Sequence, residues 1–436
     1  MTHDILVCGA GPGGSAVAQR LATAGVRVAL VGTVSRPGWE GLSMRSRALL
    51  AEEGLDQQSG VIAGPFQRRG VWANGRAVAG IEWLVERAQL AAAACVRARG
   101  AGADYRQDTV MNVQRVAEHW RARLRSGAVL TAPLLVDARG RRGAERRGPL
   151  LLAYGQRFRR RTPGASGTGI GVTDVGWCWW AERDQALWVQ VVGRPRAGHP
   201  AAWAAAAAAQ VPALARALEG AVVEGDPVAR PAHARLGLAE HEPTLWQVGD
   251  AAFALDPLSG QGVYEALRGA RLVATAIQSV VDGGDALLAQ RFIVERREEA
   301  WQRGVRVAAG FYRENGDRGA FWIETAAAYA ALLGDRAELA KRAVAARIER
   351  RPVLDEGRIL ERDVVVTAEN PRGVWHVAGV PLATLKGYFD TAEHATIAGA
   401  AVALDRPQAA VATAIHWLQE AGAMRRQVPP RVSLGG

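Results

Sequence analysis

Gly9, Gly11 and Gly14 stand in "DILVCGAGPGGSAVAQRLATAGVRVALVG", between two apolar runs that read as strands. Ile5–Val7 is short enough for a buried parallel strand. Val17, Leu21 and the alanines make a helical stripe, and "VRVALV" returns as the next strand. In that setting each glycine has its own duty. Gly9 permits the tight turn, Gly11 lets a pyrophosphate approach the backbone, and Gly14 lets helix and strand pack closely. Pro12, Gly13 and Ser15 complete a helix N-terminus whose free N–H groups suit an anion. A chain that opens this way is expected to build a doubly wound α/β domain around a dinucleotide. The acidic residue that usually ends the second strand and holds the adenosine ribose is missing: Gly32 takes its place, and Thr33 offers the nearest hydroxyl.

A second glycine-rich turn lies far downstream, in "VGDAAFALDPLSGQGVYEALRGA" (Val248–Ala270). The chain passes Asp250, Pro257, Gly260 and Gly262, then starts a helix with Leu267, Ala270, Val273, Ile277 and Val280 at three-to-four spacing. Such a turn lets backbone come close to a flat ligand and aims bare N–H groups at it. The helix N-terminus favours negative charge there. "GTGIGV" at Gly167 lacks the fingerprint spacing and reads as a turn, so no separate nicotinamide domain is expected.

At 436 residues the chain is expected to form two or three domains. Its formal charge of +11 is carried almost entirely by arginine, since Lys341 and Lys386 are the only lysines. Solvated surface and an acidic partner both account for this. "GRRGAERRG" from Gly140 and "RFRRRTPG" from Arg157 would together form a basic patch. No zinc-finger spacing or RNA-binding aromatic motif accompanies them, which argues against nucleic acid. Cys8, Cys95 and Cys178 are scattered, so neither a disulfide framework nor a metal site is implied. "PAAWAAAAAAQVPALARAL" from Pro200 is a helix former rather than a bilayer span. The protein is expected to be cytoplasmic.

These blocks resemble those of FAD-dependent monooxygenases and their relatives, p-hydroxybenzoate hydroxylase, the tryptophan halogenases and the geranylgeranyl reductases, over roughly residues 1–285. The resemblance implies an α/β protein with a Rossmann-like FAD-binding domain of the GR2 type, formed by residues 1–150 and 245–320. It further implies an inserted substrate-side sheet domain, 151–244; the residues beyond the resemblance are expected to form a small C-terminal α/β module, 321–436. FAD would be non-covalent, with dioxygen as co-substrate. By the same resemblance Arg45, in "GLSMRSRALLAEEGL", reaches the flavin pyrophosphate, and Arg87 heads the arginine-led helix of "WLVERAQLAAAACVRARGA". Val110, in "DTVMNV", lies at adenine. Asp250 bonds a ribityl hydroxyl, while Pro257, Gly260, Gln261 and Gly262 approach the isoalloxazine. "APLLVDARGRRG" carries Asp137-Ala138-Arg139-Gly140 where hydroxylases have GADG, a form nearer the halogenases and reductases. The hydroxylases' nicotinamide mode therefore does not carry over, and NAD(P)H or another reductant remains open.

In the family, reduced flavin with dioxygen supplies an electrophilic oxidant that attacks electron-rich aromatic rings, and the protein orients and shields. Halogenases also need a lysine in the first third of the chain; here none precedes Lys341, so halogenation is not expected. In "GWCWW", Trp177 and Trp179 are substrate-side candidates, as is Tyr264; ordinary packing on alternate strand faces, Trp180 included, is the competing reading. His233, His241 and His376 are isolated, and no side chain is assigned as catalytic.

Beyond residue 320, "AELAKRAVAARIER" reads as a helix, and "RDVVVTAENPRGVWHVAGVPLATL" as two strands around a turn at Asn370–Gly373. This module reads as a protein-docking surface, a lid or a dimer element. The whole combination is similar to the flavoproteins that hydroxylate a peptidyl tryptophan in quinohemoprotein amine dehydrogenase biogenesis, on the way to cysteine tryptophylquinone. That implies a partner polypeptide with an acidic surface. A monooxygenase of a small aromatic metabolite, an isoprenoid-type flavin reductase and a flavin-bearing escort protein are the alternatives.

Overall fold

Ile5–Cys8 is the middle strand of a five-stranded parallel sheet in the computed structural model, which describes residues 3–33, 37–56, 60–141, 146–195, 200–237, 242–334, 346–391 and 394–424. The strand order is Leu245–Gln247, Leu134–Asp137, Ile5–Cys8, Val28–Val31, Asp104–Arg106. Every residue of Ile5–Cys8 and Val28–Val31 is buried, as parallel strands covered on both faces must be. Helices Pro12–Thr23 and Arg87–Gly100 pack together, with Ser15 Oγ 3.6 Å from Cys95 Sγ. Leu6, Cys8, Ala29 and Val31 instead share a core with Ala122, Leu124, Leu130 and Ala132. Those four belong to an antiparallel meander, Val110–Val116, His119–Leu124 and Val129–Ala132.

An eight-stranded sheet runs Val222–Pro231, Leu152–Arg159, Ala186–Gly193, Gly176–Arg183, Gly167–Thr173, Ile62–Val71, Ala77–Glu86, Trp39–Leu42. It draws strands from both sides of residue 150, so it extends beyond the segment 151–244. "GTGIGV" is one of its strands and not the turn its glycines suggested. Gly169 and Gly171 are there because side chains from elsewhere fill their Cβ positions: a Cβ at Gly169 would lie 2.1 Å from the Trp180 ring, and one at Gly171 2.5 Å from Val211. Gly155 yields to Trp188 in the same way, at 2.5 Å. Along Gly176–Arg183 the side chains alternate. Trp177, Trp179 and Ala181 enter one core, while Cys178 and Trp180 enter another, under helices Pro200–Ala209 and Pro212–Leu218.

The chain divides into two compact units, Met1–Gln278 with Arg296–Leu333, and Ser279–Glu295 with Gly334–Gly436. Helix Ala320–Ala331 lies in the first, where Phe321, Trp322, Ala326 and Tyr329 join the core of Trp177 and Trp301. The boundary thus falls later than the 320/321 break drawn from the sequence.

The second unit holds the hairpin Arg347–Asp355/Arg358–Val366 and helices Leu382–Thr391, Ile397–Ala403 and Gln408–Glu420. Its core gathers Val365, Val380, Leu385, Val411 and Leu418. Residues 347–350, read from the sequence as the end of a helix, are strand, and residues 335–345 lie outside the described residues. The hairpin turns on Glu356 (φ +46°) and Gly357 (φ +81°), a positive-φ pair of the kind that Asn-Gly would have announced. The expected turn at Asn370–Gly373 exists, with the Gly373 N–H donating to Asn370 O at 2.9 Å. It leads only to an isolated bridge, Val365 to Val374. Among the described residues no helix is long and apolar enough to cross a membrane.

Candidate functional site

The strand Ile5–Cys8 runs into Gly9, whose φ of +119° admits no ordinary side chain, and a Cβ there would lie 2.1 Å from Ala138 O. Gly14 is as tightly held, its Cβ position being 2.0 Å from Gly9 O and 2.8 Å from Ala138 Cβ. Gly11 differs: nothing lies within 4 Å of its Cβ position. It is the N-cap of helix Pro12–Thr23, has no side-chain cap, and no acid stands in the first turn. Two glycines therefore serve packing, while the third leaves open space before unpaired N–H groups, which is how a helix N-terminus receives a phosphate.

The same crowding explains the missing ribose acid. A Cβ at Gly32 would lie 2.3 Å from Ala10 N, so the strand end that carries an acid elsewhere has no room for one. Thr33 is exposed beside it.

A cavity of about 520 Å³ begins at this turn. It takes in Gly9, Gly11, Pro12, Gly13, Gly14, Thr33, Arg87 and Val110, then Asp250, Pro257, Gly260 and Gly262, then Trp177 and Trp179. Residues 250 positions apart thus line one space. Ser15 is buried behind the turn, Arg45 is exposed on helix Met44–Glu52, and Gln261 and Tyr264 are half-buried; these four are not among the lining residues. His241 and residues 142–145 of the expected basic patch lie outside the described residues.

The charges around the cavity are mostly paired. Arg87 binds Glu40 at 2.9 Å. Asp137 is held by its own neighbour, with Arg139 Nε at 2.9 Å and a second guanidinium nitrogen at 2.8 Å, so this carboxylate is already committed. Arg141 Nε donates to Asp250 Oδ2 at 3.1 Å, and another of its nitrogens donates to His233 O at 2.7 Å. Arg235 donates to Asp250 O at 2.6 Å. Two arginines therefore fix the aspartate that opens the second turn. His233 is pushed below its ordinary value by burial first and by Arg141 next, which keeps it neutral near pH 7. The segment from Arg157 is likewise satisfied internally: Arg157 and Arg159 share Glu224, and Arg160 binds Glu182.

Behind the second turn lies a buried carboxyl that the sequence did not announce as special. Asp256 Oδ1 accepts the Leu258 N–H at 2.9 Å, and Oδ2 accepts Tyr312 Oη at 3.0 Å and Tyr329 Oη at 2.7 Å. Trp177 Nε1 donates to Tyr312 Oη at 3.3 Å, tying the cavity wall to this network. Asp256 directly precedes Pro257 in the quoted motif, but nothing local signals the two tyrosines, 56 and 73 residues away.

Burial pushes the Asp256 carboxyl up to about 6, outweighing the Leu258 N–H and the two phenols, which pull it down. The ordinary value for an aspartate is 3.8, so between about pH 4 and 6 the folded chain keeps a proton that the unfolded chain has released. Stability therefore falls as pH rises through that window, by about 3 kcal/mol in total, and the loss is complete above it. In Asp256→Asn this step disappears: the difference in unfolding free energy between pH 4 and pH 7.5 shrinks by that order in denaturant titrations. An unchanged difference would remove Asp256 as its source.

The chain matches the family model described as lycopene cyclase protein over residues 4–165. A comparison with curated protein sequences gave no match. Among solved structures it is similar to QhpG, a peptidyl tryptophan dihydroxylase essential for tryptophylquinone cofactor biogenesis. The two are 29% identical with a TM-score of 0.82, over 97% of this chain and 100% of that one. It is similar to the myxobacterial chondrochloren halogenase CndH, an FAD-dependent halogenase, at 23% identity and TM-score 0.62, over 74% and 86% of the two chains. The flavin-dependent halogenase CmlS has the same fold at 18% identity and TM-score 0.69, over 97% and 96%. The open Gly11 turn and the second glycine turn on one cavity fit the flavin that these halogenases use, and the chain, with the fold of FAD-dependent hydroxylases and halogenases, is a flavin-dependent oxidoreductase.

Proposed function

We propose that the protein hydroxylates a tryptophan side chain within a partner polypeptide, during formation of cysteine tryptophylquinone. The observation that carries this reading is the match to QhpG over 97% of this chain and all of that one. Reduced FAD, when bound, supplies the activation of dioxygen. The chain's own residues hold and shield. The N–H groups behind Gly11 take the pyrophosphate, Arg141 and Arg235 fix Asp250 at the ribityl chain, and the Pro257–Gly262 turn bears on the ring. Val110 serves the adenine end, and Arg87 lines the cavity, which the exposed Arg45, expected at the pyrophosphate, does not. Trp177 and Trp179, which line the cavity together with Trp39, hold the substrate ring away from water. No lysine is among the cavity-lining residues, so the position from which halogenases redirect the oxidant has no counterpart there.

A polypeptide substrate suits the extra area of the C-terminal unit, since a specific protein contact covers about 800 Å² per partner. An acidic partner is supported by the net charge of +11, but the arginines from 157 to 160 contribute little because each is already paired. The reading places the reaction in the cytoplasm, where the free Cys8, Cys95 and Cys178 stay reduced.

The test supplies reduced flavin and oxygen with either free tryptophan or the small subunit of a quinohemoprotein amine dehydrogenase, and reads intact mass. Oxygen atoms add to the polypeptide and not to the amino acid. Equal rates on both, or chlorination in added chloride, would return the small-metabolite or halogenase reading.

A further inference from the structure

The cavity wall on the eight-stranded sheet carries Trp39, Trp177 and Trp179 together with two carboxylates, Glu40 and Glu82. Glu82, on strand Ala77–Glu86, has only 12% of its side chain exposed. Its Oε2 accepts Trp179 Nε1 at 3.3 Å. Its Oε1 has Arg68 at 3.9 Å, beyond hydrogen-bond reach, and accepts no hydrogen bond among the described residues. Gly41 leaves that oxygen its space, since a Cβ there would lie 2.1 Å from it.

The other carboxylates of the cavity are engaged differently. Glu40 is in an ion pair with Arg87, and Asp250 binds Arg141. Asp108 accepts backbone N–H groups from Thr109 and Ser126, and Asp256 holds two tyrosines and a backbone N–H. Gln190, on the same wall as Glu82, has its carbonyl taken by Arg230 at 3.3 Å. Glu82 is thus the acidic acceptor set directly among the tryptophans, with an oxygen to spare. A nearly dry carboxylate in that condition gains most from one more N–H donor.

We propose that Glu82 Oε1 accepts the indole N–H of the substrate tryptophan, which orients the ring in the cavity and enriches it in electron density for attack by an electrophilic oxygen. This rests on the function proposed above. No proton need leave the nitrogen for good: the hydrogen bond strengthens as the ring becomes electron-poor during oxygen insertion and relaxes when aromaticity returns. A bond that tightens during reaction lowers the barrier and does more than aid binding. Arg68 lies close but beyond hydrogen-bond reach, so it leaves that oxygen to the indole.

The test uses holoenzyme and the small-subunit polypeptide, made once with tryptophan and once with 1-methyltryptophan, which has no N–H to give. Two readouts are taken: binding of fluorescein-labelled polypeptide to the oxidised holoenzyme, and the rate of oxygen addition with reduced flavin. In wild type, methylation weakens binding and slows the reaction by about 10- to 100-fold in total, the range for a hydrogen bond to a charged group. In Glu82→Ala the methyl group makes no difference. Glu82→Gln, which keeps a partner for Trp179, retains the flavin content of wild type, with an intermediate rate and intermediate methyl sensitivity. Equal methyl penalties in wild type and Glu82→Ala would overturn the assignment while leaving tryptophan hydroxylation standing. If no oxygen is added but binding shows the Glu82-dependent methyl penalty, the functional reading falls and the indole acceptor survives. If neither binding nor rate responds to the methyl group in wild type, the assignment is wrong.

Discussion

Gly11→Val gives a folded, colourless protein. The Cβ position at Gly11 is empty to 4 Å, and its backbone is extended (φ −74°, ψ 175°), a conformation valine adopts readily. The apoprotein therefore loses little stability. What the branched side chain removes is the space in front of the first-turn N–H groups of helix Pro12–Thr23, where the pyrophosphate is proposed to bind. Losing two charge-assisted hydrogen bonds there costs about 3–6 kcal/mol, so FAD affinity falls about 100-fold or more. Absorbance of the purified protein near 450 nm, with circular dichroism as the folding control, decides the matter. Wild-type flavin content would mean that the phosphates lie elsewhere.

Gly14→Val, three residues on, fails for the opposite reason. Its Cβ would occupy the position of Gly9 O, 2.0 Å away, and press on Ala138. Both are backbone or short core groups that cannot swing aside. Overpacking of this kind costs about 1–3 kcal/mol for a single methylene, and a branched side chain against backbone exceeds it. Against a total stability of about 5–15 kcal/mol, the expected result is mostly insoluble protein, or an apoprotein melting well below wild type and Gly11→Val. A Gly14→Val apoprotein that melts with wild type would show that helix and turn have room to part. The pair separates the two uses of glycine in one motif, since one variant keeps the fold without flavin and the other loses the fold.

The legible parts of this molecule were those written locally. The turn at Gly9–Gly14 and the strands on either side of it, Ile5–Cys8 and Val28–Val31, are short-range patterns, and each formed where its residues indicated. So did the helix from Gly262, whose Leu267, Ala270, Val273 and Ile277 are buried. One reading failed because it rested on glycine alone. Gly169 and Gly171 looked like a turn because the reason for them, Trp180 and Val211, lies elsewhere in the chain. The Glu356–Gly357 hairpin lacked the asparagine that marks such a turn.

The candidate site divides the same way. Gly9, Gly11, Asp250 and Pro257 sit in motifs and could be named. Tyr312 and Tyr329 reach Asp256 from a helix pair with no motif of its own. Glu82 sits on a strand that no motif marked, and only its place on the cavity wall sets it apart.

The indole sockets of the large sheet carry a consequence for how this sequence can change over time. Gly169 faces Trp180, and Gly155 faces Trp188, each at a distance that leaves no room for a methyl group. Neither partner is free to vary alone: alanine at 169 or 155 demands a smaller ring opposite, and a smaller ring opposite leaves a void that alanine would fill. Each pair is therefore a single inherited unit, exchanged as two substitutions or not at all. In an alignment of descendants its members would covary across the sheet although they lie well apart in sequence. Trp180 and Trp188, in the cores on the two opposite faces of the sheet, are each held in place by the glycine that makes room for it.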